Sequence, residues 1–130
     1  MIEYPFPTDP ASEGYCVFPT ELEDDPNILF HATSSRNFDA ISNEGFKIPG
    51  ESVAHGLKSV SFAKRSVGAL THAAMIRTDE PGDYVIFAVK YDSLDHRHIV
   101  INHSDIHDYQ LTPSPKIIGF CVVPKTYQHR

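Results

Sequence analysis

Residues 27–45, Asn-Ile-Leu-Phe-His-Ala-Thr-Ser-Ser-Arg-Asn-Phe-Asp-Ala-Ile-Ser-Asn-Glu-Gly, admit few local structures. Ile28-Leu29-Phe30 is an apolar run suited to a buried strand, which the sequence predicts to end at His31-Ala32-Thr33. Ser34 or Ser35 then supplies a helix N-cap, because a hydroxyl oxygen accepts a bond from one of the unpaired N–H groups of a first turn. Phe38 and Ile41 fall three apart on one helical face, Glu44 closes the last turn, and Gly45 tolerates a left-handed exit. A strand that delivers a polar His-Ala-Thr cluster into a short helix is the organising unit.

The whole chain bounds what can surround that unit. Its 130 residues fit one compact domain able to bury a core without disulfide or metal staples. A net charge of −6 argues against a surface that tracks nucleic-acid phosphates, since that affinity comes from Lys and Arg displacing counterions. Cys16 and Cys121 lie in apolar settings without metal or redox spacing and read as buried thiols of a cytoplasmic protein. Neither a leader peptide nor a bilayer-spanning apolar run is visible, so the expectation is a soluble, cytoplasmic protein without a membrane partner.

Residues 1–26 carry Pro5, Pro7, Pro10, Pro19 and Pro26 with the acidic Glu21, Glu23, Asp24 and Asp25. They read as an extended arm with at most short edge strands, because each proline removes a ladder donor, and Tyr15 to Phe18 would pack it on the body at 27–130. Phe46-Lys47-Ile48 alternates briefly, and Leu57 to Ala63 alternates like a strand with Leu57, Ser59, Ser61 and Ala63 on one face. Val67, Leu70 and Ala74 then mark a helix that ends near Arg77. Asp83 to Tyr91 is the strongest strand and reads as central; His98 to Ile101, Tyr109 to Leu111 and Lys116 to Val123 complete six or seven strands beside two short helices. That order favours α+β over alternating β-α-β.

The strand, His-Ala-Thr cluster and Gly-terminated helix resemble the opening motif of the ADP-ribosyltransferase superfamily, with Ala32 at a position usually held by Gly. Val60-Ser61-Phe62-Ala63 followed by a helix is similar to that family's second strand, with Ser61 where many members have Tyr. The resemblance implies a minimal split β-sandwich with NAD in the cleft between two small sheets. It further implies that His31 holds the adenosine-side ribose, that the Ala32 backbone grips the nicotinamide carboxamide beside Thr33, and that Ser59, Ser61 and Phe62 line the nicotinamide pocket. Because Ser61 cannot stack on that ring, one wall would come from Phe62, Phe30 or Tyr109.

The acidic group that stabilises the transition state is implied to be Asp108, which precedes Tyr109, a Pro-x-Pro and the final strand; the pattern of small rifamycin-modifying members makes Asp92 or Asp95 a competitor. The implied activity is NAD-dependent mono-ADP-ribosyl transfer to an acceptor that is a protein, a nucleic acid, a small molecule or water, in a toxin, effector or modifying enzyme. The alternatives are a catalytically inactive NAD or ADP-ribose-binding module and a protein-interaction domain that uses the acidic arm. His96, His98, His103 and His107 crowd together, with His103 and His107 at helical i, i+4 spacing, but no second shell or known motif accompanies them and no metal is expected. Cys16 has no nucleophile motif around it, and no Gly-rich phosphate loop is present.

Overall fold

The computed structural model describes residues 1–48, 59–76 and 82–127. In chain order the elements are β1 (Ile2–Glu3), α1 (Thr20–Glu23), β2 (Ile28–Ser34), a 3-10 turn (Ser35–Asn37), α2 (Phe38–Glu44), β3 (Val60–Ala63), α3 (Ser66–Ile76), β4 (Tyr84–Lys90), β5 (Ile99–Ile101), β6 (Asp105–Asp108) and β7 (Lys116–Val123). The strands form one seven-stranded sheet in the order β1-β7-β4-β2-β3-β6-β5. All pairs are antiparallel except β1 with β7. This is an α+β domain.

The β4 strand sits centrally because it can be buried on both faces. Tyr84, Ile86 and Ala88 point into one core with Phe30, Ala69, Leu70 and Cys121, while Val85, Phe87 and Val89 point into another with Leu29, Phe46, Phe62 and Ile106. The first core is covered by α3 and by Val17 and Phe18 of the N-terminal segment. The second is covered by Phe38 and Ile41 of α2, with Phe38 stacked on Phe87 at 5.7 Å between ring centres.

Pairing along the sheet is uneven. From Ile28 to Ser34 every β2 residue has a partner on β4, yet β2 meets β3 only where Phe30 faces Ala63. Among the described residues, β2 has no register partner on β3 beyond Phe30. The sheet is therefore divided at that point into a β1-β7-β4-β2 wing and a β3-β6-β5 wing.

Several expectations need correction. His31 is not at a strand exit: β2 continues to Ser34 because its bonds to β4 extend that far. The helix is entered through the 3-10 turn: Ser34 holds the N-cap position of that turn and Asn37 that of α2, and neither makes a side-chain cap bond. Gly45 does end α2 with φ of 80°, a conformation open to glycine at little cost. Phe46 to Ile48 is not a strand, and the late strand is Asp105–Asp108 where Tyr109 to Leu111 was expected. Among the described residues there are three α-helices where two were expected, because Thr20–Glu23 forms one inside the N-terminal segment.

That segment is not extended throughout either. Glu23, 5% exposed, accepts bonds from the Ser66 backbone N–H, from the Ser66 hydroxyl and from the Phe18 N–H, which pins it to the start of α3. The expected strand start at Leu57 and helix end at Arg77 lie outside the described residues.

Candidate functional site

The division between β2 and β3 is where side-chain chemistry collects. His31 Nδ1 lies 2.7 Å from the Ser61 carbonyl oxygen, and since a carbonyl only accepts, Nδ1 carries the proton and donates. Edge-on contacts with Phe46 at 5.0 Å and Phe62 at 5.7 Å fix the ring. Burial pushes the imidazole below the ordinary histidine range; the bond to Ser61 acts against this and nearby His72 acts with it. His31 is held neutral, and its Nε2 is left as an acceptor.

Two cavities share His31 and Ser61. One, of ≈ 250 Å³, lies against α3 and is also lined by Phe30, Ala32, Phe62, Ala63, His72 and Asp105. The other, of ≈ 540 Å³, lies against α2 and is lined by Thr33, Asn37, Ile41, Phe46, Lys47 and Ser59 among others. Asn37 donates to the Thr33 hydroxyl at 2.9 Å, so this threonine is already oriented. Of the expected site residues, His31, Ala32, Thr33, Ser59, Ser61 and Phe62 thus come together from β2, β3 and the residue before β3. Phe30 and Phe62 supply apolar walls, whereas Tyr109 stacks on His107 and lines a separate pocket with His96, Arg97 and His98.

Asp108 is placed otherwise. It is 0% exposed, and its oxygens accept from the Tyr91 hydroxyl at 2.7 Å, His98 Nδ1 at 3.0 Å, Gln110 N–H at 3.0 Å and Leu111 N–H at 2.9 Å. Burial pushes its pKa up, but the Leu111 and Gln110 amides, then Tyr91 and His98, outweigh it and hold the group below the usual carboxylate range. The same arrangement raises the Tyr91 phenol, by burial first and then by the bond to Asp108. Asp108 does not line either cavity. Asp92 and Asp95 lie exposed in the turn after β4 and do not line them either.

Two acids line the cavities: Glu44 of α2 the larger, where it pairs with Lys47, and Asp105 the smaller, three residues before Asp108 on β6 and therefore on the opposite face of the strand. The Asp105 side chain is 40% exposed. A bond from Asn102 depresses its pKa, burial opposes, and His107 adds to the depression. Sequence reasoning missed Asp105 because Asp-Ile-His-Asp does not read as a strand by apolar alternation, although Ile106 is its one inward anchor.

Asp105 also belongs to a chain of bonds on the outer face of β3 and β6. His107 lies opposite Ser61 in the register. His107 Nε2 is 3.2 Å from Asp105 Oδ2 and its Nδ1 is 2.9 Å from Ser59 Oγ. The histidine cluster itself is dispersed: His96 and His98 stack at 5.2 Å, His103 sits in the turn before β6, and His107 is on a strand, so the i, i+4 spacing has no helix beneath it. Among the described residues no group of three or more His, Cys, Asp or Glu side chains could hold a metal ion. Cys121 is fully buried, which pushes its thiol up to about 12. Among the described residues no helix is long and apolar enough to cross a membrane.

Comparison of the chain with protein-family models, curated proteins and solved structures finds no match.

Proposed function

We propose that this protein binds NAD across the opening between β2 and β3 and transfers its ADP-ribosyl group to an acceptor, releasing nicotinamide. The observation that carries the reading is the meeting of His31 and Ser61, 30 residues apart, on the shared wall of two cavities, with the Asp105 carboxylate beside them. The split β-sandwich implied by the sequence resemblance finds support in the single β2–β3 register pair, which leaves two wings with an opening between them. Of the two cavities flanking His31, the larger, ≈ 540 Å³, is of the size that ligand pockets take, roughly 300–1,000 Å³, and the smaller, ≈ 250 Å³, adjoins it.

In this reading His31 Nε2 accepts a hydroxyl of the adenosine-side ribose. The backbone at Ala32, paired with Ile86 of β4 but with no register partner on β3, holds the nicotinamide carboxamide, and the Thr33 hydroxyl adds a contact in the larger cavity. Phe30, Phe62 and Ser61 line the ring's slot. As the bond from C1′ to nicotinamide breaks, positive charge grows on the ribose, and a fixed carboxylate close by stabilises it. We assign that role to Asp105 and a structural role to Asp108.

Ser61 offers no ring to stack on nicotinamide, and that departure favours a second reading, a module that binds NAD or ADP-ribose without turning it over. Chromatography of free nicotinamide after incubation with NAD tests both. Release that falls about 100-fold or more in Asp105→Asn supports transfer. NAD binding without release supports the module, and neither binding nor release overturns both.

A further inference from the structure

We infer that Ser59 is an activated nucleophile and that this protein, in the transferase reading above on which the inference rests, attaches ADP-ribose to its own Ser59. Ser59, His107 and Asp105 form a continuous hydrogen-bonded chain, at 2.9 Å and 3.2 Å, across two neighbouring strands. The Asp105 carboxylate fixes one end of the chain. A depressed carboxylate only accepts, so His107 Nε2 carries the proton and donates to Asp105. In the uncharged ring Nδ1 is the lone-pair nitrogen, and in that form the Ser59 hydroxyl donates to it. A serine hydroxyl directed at a neutral imidazole whose other nitrogen is held by a carboxylate is the arrangement that activates a weak oxygen nucleophile.

The remaining contacts keep this chain in place. His107 stacks on Tyr109 at 6.3 Å with 28° between the planes, and Asn102 donates to Asp105 Oδ1 at 2.8 Å, leaving Oδ2 for His107. His107 is 27% exposed, so a proton it takes up can pass to solvent. The chain also borders the cleft, since Ser59 lines the larger cavity, Asp105 the smaller, and Ser61, opposite His107, both.

The electrophile follows from what the step requires. Acyl transfer needs donors aimed at a developing oxyanion, whereas displacement at a ribose C1′ bearing a cationic nicotinamide, which leaves as a neutral group, needs only a positioned oxygen and a base. Ser59 Oγ forms the new bond to C1′, the bond from C1′ to the nicotinamide nitrogen breaks with its electron pair leaving on nicotinamide, and the hydroxyl proton moves to His107 Nδ1. The products are a serine O-glycoside, neutral nicotinamide and one proton.

The test is incubation of the full chain with NAD, followed by peptide mapping by mass spectrometry and by measurement of nicotinamide in the same sample. The expected result is an added mass of one ADP-ribose on Ser59, absent in Ser59→Ala and retained at the same position in Ser59→Thr. In His107→Phe, which keeps a ring against Tyr109 but no base, the rate of labelling falls about 100-fold or more. Nicotinamide release with no label on residue 59 overturns self-modification while leaving the transferase reading intact. A label on Ser59 that forms equally fast in His107→Phe overturns the activation. Absence of both label and nicotinamide removes the transferase reading and this inference with it.

Discussion

Replacing Asp108 separates a structural carboxylate from a catalytic one. In Asp108→Ala the Tyr91 hydroxyl, His98 Nδ1–H and the Gln110 and Leu111 amides lose their shared acceptor in a place with no solvent access. Each intramolecular bond is worth about 1 kcal/mol net, and orphaned buried donors cost more, which brings the total to about 4 kcal/mol, within the range for breaking buried charged networks. Asp108→Asn keeps an acceptor oxygen for the amides and a donor for Tyr91, so its cost is smaller, about 1–2 kcal/mol. In a chain of 130 residues the alanine variant should melt roughly 15 °C lower, at about 4 °C per kcal/mol.

Urea unfolding at neutral pH measures this directly, with an unchanged slope against denaturant marking a change of stability alone. The pH dependence has a defined sign. The folded carboxyl titrates below its unfolded value of about 3.9, so its contribution is fully present above that value and is lost as pH falls through the folded pKa. An Asp108→Ala protein within about 0.5 kcal/mol of wild type, with nicotinamide release abolished, would refute the assignment and return Asp108 to the catalytic role.

Three further outcomes are expected. Gly119→Ala places a Cβ 2.5 Å from the Tyr4 ring and 2.9 Å from the Ile2 carbonyl, so β1 must leave its place beside β7; the cost is about 1–3 kcal/mol, and limited proteolysis should then cut before Pro10 faster than in wild type. His31, held below the ordinary histidine value, destabilises the fold when forced to take a proton; stability falls as pH drops through the unfolded value of about 6.5 towards the folded one, and pH-dependent urea midpoints should flatten in His31→Gln. Cys121, buried and pushed up to about 12, should resist a thiol reagent in the native protein while partly exposed Cys16 reacts, and simultaneous reaction of both without denaturant would contradict the packing.

The elements with strong apolar patterns were legible in the sequence. β7 lies where the run Lys116–Val123 predicts it, β4 (Tyr84–Lys90) lies within the predicted Asp83 to Tyr91, and the glycine exit of α2 is at Gly45. The N-terminal segment was partly legible: Val17 and Phe18 pack on the body as expected, but α1 forms because Glu23 finds the start of α3, a contact over 43 residues that no local pattern contains. The same limit governs the site. His31, Ala32, Thr33, Ser59, Ser61 and Phe62 could be nominated from short motifs, whereas choosing among the aspartates required knowing that Asp105 and Asp108 sit on opposite faces of one strand. A strand of four residues with only Ile106 and Asp108 buried carries too little apolar alternation to reveal that face. The relay from Ser59 to Asp105 was hidden for the same reason, since it depends on the register that sets His107 opposite Ser61.

Whether NAD binds in the opening between β2 and β3 is decided by calorimetric titration of the full chain with NAD, wild type beside His31→Ala. One binding event per chain is expected in the wild type and its loss in the variant, with urea unfolding used to establish that the variant is folded. No heat at millimolar NAD, or the same affinity in both proteins, would contradict it.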